Sequence, residues 1–343
     1  MQALQLMEYK KLQLVDLPMP QPAADEVLIH IAACGICGSD VHGYDGSTGR
    51  RIPPLVMGHE AAGVITAVGA QVKDFSIGDR VTFDSTISCG VCRFCAAGEI
   101  NLCDNRQVVG VSCGEFRRNG AFAEYIAVPA RIVYRLPDAL GFAEAAMVEA
   151  VSVALHAVRL TELQAGQTAV VIGAGMIGLL ILQALRVAGC ERVIVTDVDA
   201  GRLRMAEKLG ASLTLDASQG NVAEEIRKLT GGYGADVVLE AVGSAATVRS
   251  AIAMVRKGGA VTLVGNVAPE VPLPLQSVVS RQIKLQGSCA SSGEYPEAIE
   301  LLGRKAMDVT PMLTAVVPLR DGAAWFERLY AHEPNLMKVV LTP

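Results

Sequence analysis

The chain has 343 residues, 51% of them hydrophobic and only 4% aromatic, with 34 glycines and a formal net charge of −5. That length exceeds one ordinary core and predicts two domains, while an acidic balance without a long basic run argues against a nucleic-acid partner. Mean hydropathy is +0.37, yet the most apolar stretch, 169–182, has 14 residues with three glycines, short of the roughly 20 that a membrane span needs. The opening MQALQLMEYKK lacks the basic, apolar and small-residue order of a signal peptide. Nine cysteines form an odd set in a chain without an export signal, so reduced thiols and a cytoplasmic location are expected.

Residues 1 to about 150 read as short strands broken by Gly and Pro. EVLIHIAACG, GVITAVG and DRVTF alternate or run apolar and stop at turn residues. Between them lie groups that can bind a metal. Cys37 is followed by Ser39, Asp40 and His42, and His59 and Glu60 stand in MGHE. Cys34 and Cys37 also form a C-x-x-C pair, but no βαβ pattern surrounds it as a redox site would require. Further on, Cys89, Cys92 and Cys95 are spaced C-x2-C-x2-C and Cys103 follows after seven residues. Four thiolates from one loop can close a tetrahedron around Zn²⁺ and leave no position for substrate. An iron–sulfur cluster and a pair of disulfides are the alternatives. Chemistry needs an open site with mixed ligands, and Glu149, in MVEAVSVALHA, completes a thiolate–imidazole–carboxylate set with Cys37 and His59.

From Thr168 the pattern changes to strands alternating with helices. TAVVI precedes a helix over 176–188, RVIVTD one over 200–209, SLTLD one over 221–230, and ADVVLE one over 245–256; GAVTLVG and IKLQGS follow, and LMKVVLTP closes the chain as a last strand. Six short apolar strands with helices between most of them predict a doubly wound parallel sheet. Its first turn, Gly173-Ala174-Gly175-Met176-Ile177-Gly178, fits G-x-G-x-x-G between a strand and a helix, the context that makes this pattern a dinucleotide site. Backbone N–H groups near Met176 and Ile177 are the expected pyrophosphate donors. Asp197, 24 residues after Gly173, is placed to accept from ribose hydroxyls and repel a 2′-phosphate, which selects NAD over NADP. Arg202 either lies along the adenine or is solvated.

Taken together, CGICGSDVH, GHEAAGVITAVG, GDRV, the four-cysteine lobe, GAFAEY and GAGMIG resemble the zinc-dependent medium-chain dehydrogenases over the full length of the chain. Cys37, His59 and a Glu in MVEAVSVALHA resemble the sorbitol, galactitol-phosphate and threonine dehydrogenase branch, although that branch usually has proline where Ala150 stands. The resemblance implies a GroES-like, mainly β catalytic domain from residues 1–152 with 290–343, a Rossmann NAD domain from 153–289, and a site in the cleft between. It implies two zinc ions per chain: a catalytic one held by Cys37, His59 and Glu149, with Glu60 as an alternating ligand, and a structural one in the cysteine lobe. Asp40 would orient His59. Val242, Val264 and Gly265 join the cofactor contacts, and a homodimer or homotetramer is expected.

The activity implied is oxidation of a secondary alcohol to a ketone, with hydride transfer to NAD. Ser39 would take the hydroxyl proton and His42 pass it toward solvent, unless Ser39 only caps a turn and His42 is a surface residue. Tyr44 would line the substrate pocket. Sorbitol dehydrogenases grip polyols with an Arg-Tyr pair; aligned on YP, those positions are Ala290 and Ser291 here. A polyol or sugar alcohol is the leading class and an amino alcohol such as threonine the runner-up. A zinc-free NADPH reductase and a non-catalytic NAD sensor are the readings from outside this class. The cysteine lobe and Asp197 oppose the first, and the open ligand set opposes the second.

Overall fold

The computed structural model describes residues 1–113 and 116–343. The described chain divides into two compact units, residues 1–149 with 295–305 and 309–343, and residues 150–294 with 306–308. The breaks differ from the 152/153 and 289/290 read from sequence. Residues 290–294 stay with the second unit because the buried Glu294 carboxylate bonds there to His156 Nδ1 at 3.0 Å and Arg159 Nη1 at 2.9 Å.

The first unit is built on a sheet whose early strands are β1 (Glu26–Gly35), β2 (Glu60–Val68), β3 (Arg80–Phe83), β4 (Tyr125–Pro129) and β5 (Val133–Arg135). The central strand β1 carries EVLIHIAACG, apolar at nearly every position, and is buried on both faces over most of its length. A short helix, α1 (Gly38–Gly43), follows it directly, so Cys37 sits between a buried strand end and a helix start. Leu4, Leu6, Ile29, Ile65, Phe83 and Phe122 lie in the core.

In the second unit, α2 (Val148–Leu160) leads in, starting just before the break. Six strands follow: β6 (Thr168–Ile172), β7 (Arg192–Asp197), β8 (Leu213–Asp216), β9 (Ala235–Glu240), β10 (Val255–Leu263) and β11 (Lys284–Gly287). They pair in the order β8-β7-β6-β9-β10-β11, all parallel. The order reverses between β6 and β9, and ligands of open α/β sheets bind beyond the strand ends at such a reversal. Intervening helices include α3 (Met176–Val187), α4 (Ala200–Lys208), α5 (Val222–Leu229) and α6 (Ala245–Met254). α6 ends two residues before its sequence-read limit because Val255 pairs with Ala235 and begins β10, with a register shift before Val237.

The chain then completes the first sheet. β12 (Leu313–Pro318) and β13 (Lys338–Thr342) pair in parallel, and β13 pairs antiparallel with β1 through Val340–Gly35 and Leu341–Cys34. The sheet order is β5-β3-β2-β1-β13-β12, with β4 also on β1. Among the described residues, no helix is long and apolar enough to cross a membrane.

Candidate metal centres and cofactor site

The ligand atoms of Cys89, Cys92, Cys95 and Cys103 all lie within 4.8 Å of one another. The Sγ atoms of Cys92 and Cys95 are 3.5 Å apart and those of Cys89 and Cys95 are 4.0 Å apart. Zn–S bonds of about 2.3 Å in a tetrahedron put sulfurs about 3.8 Å apart, so the spacing fits one zinc ion. These cysteines are free thiols, as are Cys34 and Cys37, which removes the disulfide alternatives. Backbone N–H groups of Val91 and Cys92 lower the Cys89 thiol to about 6, the thiolate form that a metal takes.

A second set joins Cys37, His59 and Glu60, whose ligand atoms also lie within 4.8 Å of one another. Cys37 precedes α1, His59 directly precedes β2, and Glu60 opens it. Both His59 and Glu60 are buried. Burial lowers the His59 pKa, but the neighbouring Asp40 and Cys37 outweigh it and hold it well above the usual value. An imidazole that favours its charged form marks a pocket of negative potential, which suits a cation. Glu60 faces a buried lysine: Lys338 Nζ on β13 donates to Glu60 Oε2 at 2.5 Å and to Ile36 O at 3.1 Å. Asp40 Oδ1 lies 3.5 Å from His59 Nδ1, and Ser39 Oγ 3.5 Å from His59 Nε2. Burial raises the Asp40 carboxyl, and His59 and Arg51 more than offset this, bringing it to about 2.

Glu149 is not in this close set, in which Glu60, the other expected ligand, is the carboxylate. Burial, with Glu60 and Asp84 nearby, lifts Glu149 to about 7 even though His59 and Lys338 pull it down.

The glycine turn is built as a dinucleotide cradle. Gly173 has φ +94°, the left-handed region. A Cβ on Gly178 would strike the Gly173 carbonyl, so this glycine lets α3 sit against the end of β6. A Cβ on Gly175 would meet nothing within 4 Å. That open space, at the N-terminus of the 12-residue α3 whose first residues Met176 and Ile177 are half-buried, fits a pyrophosphate. Asp197 ends β7; its oxygens accept from Ala174 N at 2.6 Å and Asp199 N at 2.9 Å. A carboxylate offers about four lone-pair sites, so acceptors remain for a ribose. Val242 packs on Gly173, and a Cβ on Gly265 would collide with the backbone of Val242 and Gly243. Val264 and Gly265 N–H both bond to Glu240 O. Arg202 is exposed near the start of α4.

Two family models match: the alcohol dehydrogenase GroES-like domain over residues 23–138 and the zinc-binding dehydrogenase over 176–304. Sorbitol dehydrogenase from Bacillus subtilis (strain 168) is 35% identical over 97% of this chain and 95% of its own length. The chain belongs to the zinc-dependent medium-chain dehydrogenase family. D-arabitol-phosphate dehydrogenase of Enterococcus avium is 34% identical over 97% of this chain and 94% of its own, in keeping with the polyol branch of the family. Among solved structures, a putative zinc-binding dehydrogenase from Sinorhizobium meliloti 1021 bound to NADP is 32% identical, with TM-score 0.91 over 100% of this chain and 99% of its own. A short chain alcohol dehydrogenase (rspB) from E. coli CFT073 complexed with NADH is 28% identical, with TM-score 0.92 over 100% of this chain and 99% of that one. This medium-chain dehydrogenase is therefore an oxidoreductase, and its residues fit both zinc and a nicotinamide dinucleotide.

One expected site residue is displaced. Tyr44 does not line a substrate pocket: it is 3% exposed, its hydroxyl donates to Lys10 O at 2.8 Å, and its ring packs on Phe326 and Tyr330. It caps the end of α1, facing the core instead of the ligand set. Ser39 and His42 are exposed on the same helix, three residues apart and so on one face. Arg51, Lys338 and Glu240 were missed from sequence. Glu240, wholly buried, holds the N–H groups of Val242 and Gly243, both at 2.9 Å, and so shapes the loop beyond β9. A lone lysine inside the apolar run LMKVVLTP and a glutamate closing ADVVLE were the available signals.

Proposed function

We propose that this dehydrogenase oxidises a secondary hydroxyl of a polyol or sugar alcohol to a ketone, with NAD as hydride acceptor. The observation that carries the reading is the convergence of Cys37, His59 and Glu60 beside the exposed hydroxyl of Ser39. Cys37 and His59, with Glu60 or Glu149, would hold the catalytic zinc, and Cys89, Cys92, Cys95 and Cys103 the structural one. A zinc ion held by the first set supplies Lewis acidity to an alcohol oxygen, and a nicotinamide ring is the hydride acceptor. Asp40 keeps the His59 ring oriented, Ser39 takes the hydroxyl proton, and His42 passes a proton to solvent. Lys338 pairs with Glu60 from beneath, so the carboxylate is anchored in the pocket.

The sorbitol and arabitol-phosphate relatives support a polyol. Ala290 and Ser291 stand where sorbitol dehydrogenases carry an Arg-Tyr grip, and Ser291 is buried, so hydroxyl recognition rests on other residues. A panel of free polyols, phosphorylated polyols and amino alcohols, followed by NADH absorbance, tests the class. Turnover confined to amino alcohols would overturn it.

Two results are expected here. Asp197→Asn keeps one acceptor for the turn but removes the charge facing the ribose. The ratio of kcat/KM for NAD over NADP should fall about tenfold, the size of one charged hydrogen bond; an unchanged ratio refutes the assignment. Glu149→Ala should lower kcat about 10- to 100-fold with NAD affinity retained, as for residues that support a metal site. Full activity in this variant would leave the carboxylate role to Glu60 alone.

A further inference from the structure

We infer that Arg51 is the positioning residue of the proton hand-off, holding Ser39 and Asp40 in register from beneath the site. The inference rests on the reading of Ser39 as proton acceptor given above. Arg51 lies on the loop before β2, where no motif called for a cation, and it is 4% exposed. Its Nε and Nη2 donate to Asp40 Oδ1 at 3.1 and 2.9 Å. Nη2 also donates to Ser39 Oγ at 3.2 Å, and Nη1 to the carbonyl of Arg50 at 3.3 Å. The fork converges on the same Asp40 oxygen that lies 3.5 Å from His59 Nδ1, leaving Oδ2 without a protein partner. The stem is fixed too: a Cβ on Gly43 would run into Arg51 Cγ.

This geometry does two things. It takes the inward lone pair of Ser39 Oγ, so the remaining lone pair and the hydroxyl proton face outward. Departure of the serine proton toward His42 and solvent is then matched by arrival on Oγ of the substrate hydroxyl proton, and the adjacent guanidinium stabilises the partial negative charge that Oγ carries while departure runs ahead of arrival. It also ties Ser39 and the His59 partner Asp40 to one rigid, planar group. A lysine, a point charge on a flexible stem, cannot copy that fork.

The test is Arg51→Lys in the wild-type and Ser39→Ala backgrounds, with zinc content, melting temperature, KM for alcohol and NAD, and the solvent deuterium isotope effect on kcat. Expected for Arg51→Lys alone are wild-type zinc content and KM values, kcat lowered about tenfold or more, and a larger solvent isotope effect. In the Ser39→Ala background the same change should cost distinctly less of kcat, since the part that acts through that hydroxyl is already gone and only the Asp40 contact remains. Gly43→Ala, which displaces the Arg51 stem and leaves every charge in place, repeats the comparison should Arg51→Lys not fold. An equal loss in both backgrounds, wild-type kcat in Arg51→Lys, or a loss that follows zinc content alone overturns the inference. Ser39→Ala with wild-type kcat overturns the Ser39 reading itself, and shows in that single variant.

Discussion

Cys37→Ser is expected to abolish turnover while leaving NAD binding and the melting temperature nearly unchanged. Cys37 is half-buried at the start of α1, and its side chain makes no capping bond to that helix, so a sulfur-to-oxygen change removes little packing. What it removes is a ligand from a three-donor set that supports the chemistry. Lewis-acid stabilisation of several kcal/mol, at about 1.36 kcal/mol per tenfold, puts the loss near a thousandfold or more. Steady-state turnover, cofactor titration and thermal melting on one preparation decide the matter. Unfolding of this variant with loss of all metal would refute the division of roles.

Cys103→Ser should fail in the opposite way. Cys103 is buried, and its sulfur accepts from Cys89 N at 3.2 Å while facing three further thiols. A closed shell of this kind contributes to folding directly. Structural zinc provides about 10 kcal/mol in small peptides, and a fraction of that weighs heavily against a total of roughly 5–15 kcal/mol. The melting temperature should fall by about 10 °C or more, with zinc near one per chain against two in wild type, and the folded fraction should still turn over. A Cys103→Ser protein as stable as wild type but inactive would place the chemistry in the lobe.

The parts of the molecule that were legible in the sequence are those written locally. The lobe declares itself because its four thiols lie within one loop. The cradle does so because strand, glycine turn and helix are contiguous from Thr168 to Val187. Both candidate carboxylates of the mixed set could be named from their motifs, but not which of them stands closest: the fold brings Glu60, next to His59 in the chain, into range of Cys37 and His59. Tyr44 was misread because closeness in sequence to Cys37 says nothing about which side of a six-residue helix faces the core. Arg51 and Lys338 had no local signal of partnership: each is explained only by an acid that the fold delivers, Asp40 to one and Glu60 to the other.

The strand that carries Lys338 also sets an order of events. β13 lies between β1 and β12 in the first sheet, and Lys338 is 278 residues downstream of the Glu60 it neutralises. During synthesis β1 and β2 emerge early, with Glu60 lacking its counter-charge and the Cys34–Gly35 end of β1 lacking its neighbour. The whole second unit is made before β13 can fill the gap. The first unit therefore closes last although it starts first. Until then it exposes an apolar strand edge of the kind that pairs wrongly with other chains. A long-range closure of this sort is slow by topology, which makes the acidic pocket one of the last features of the enzyme to exist.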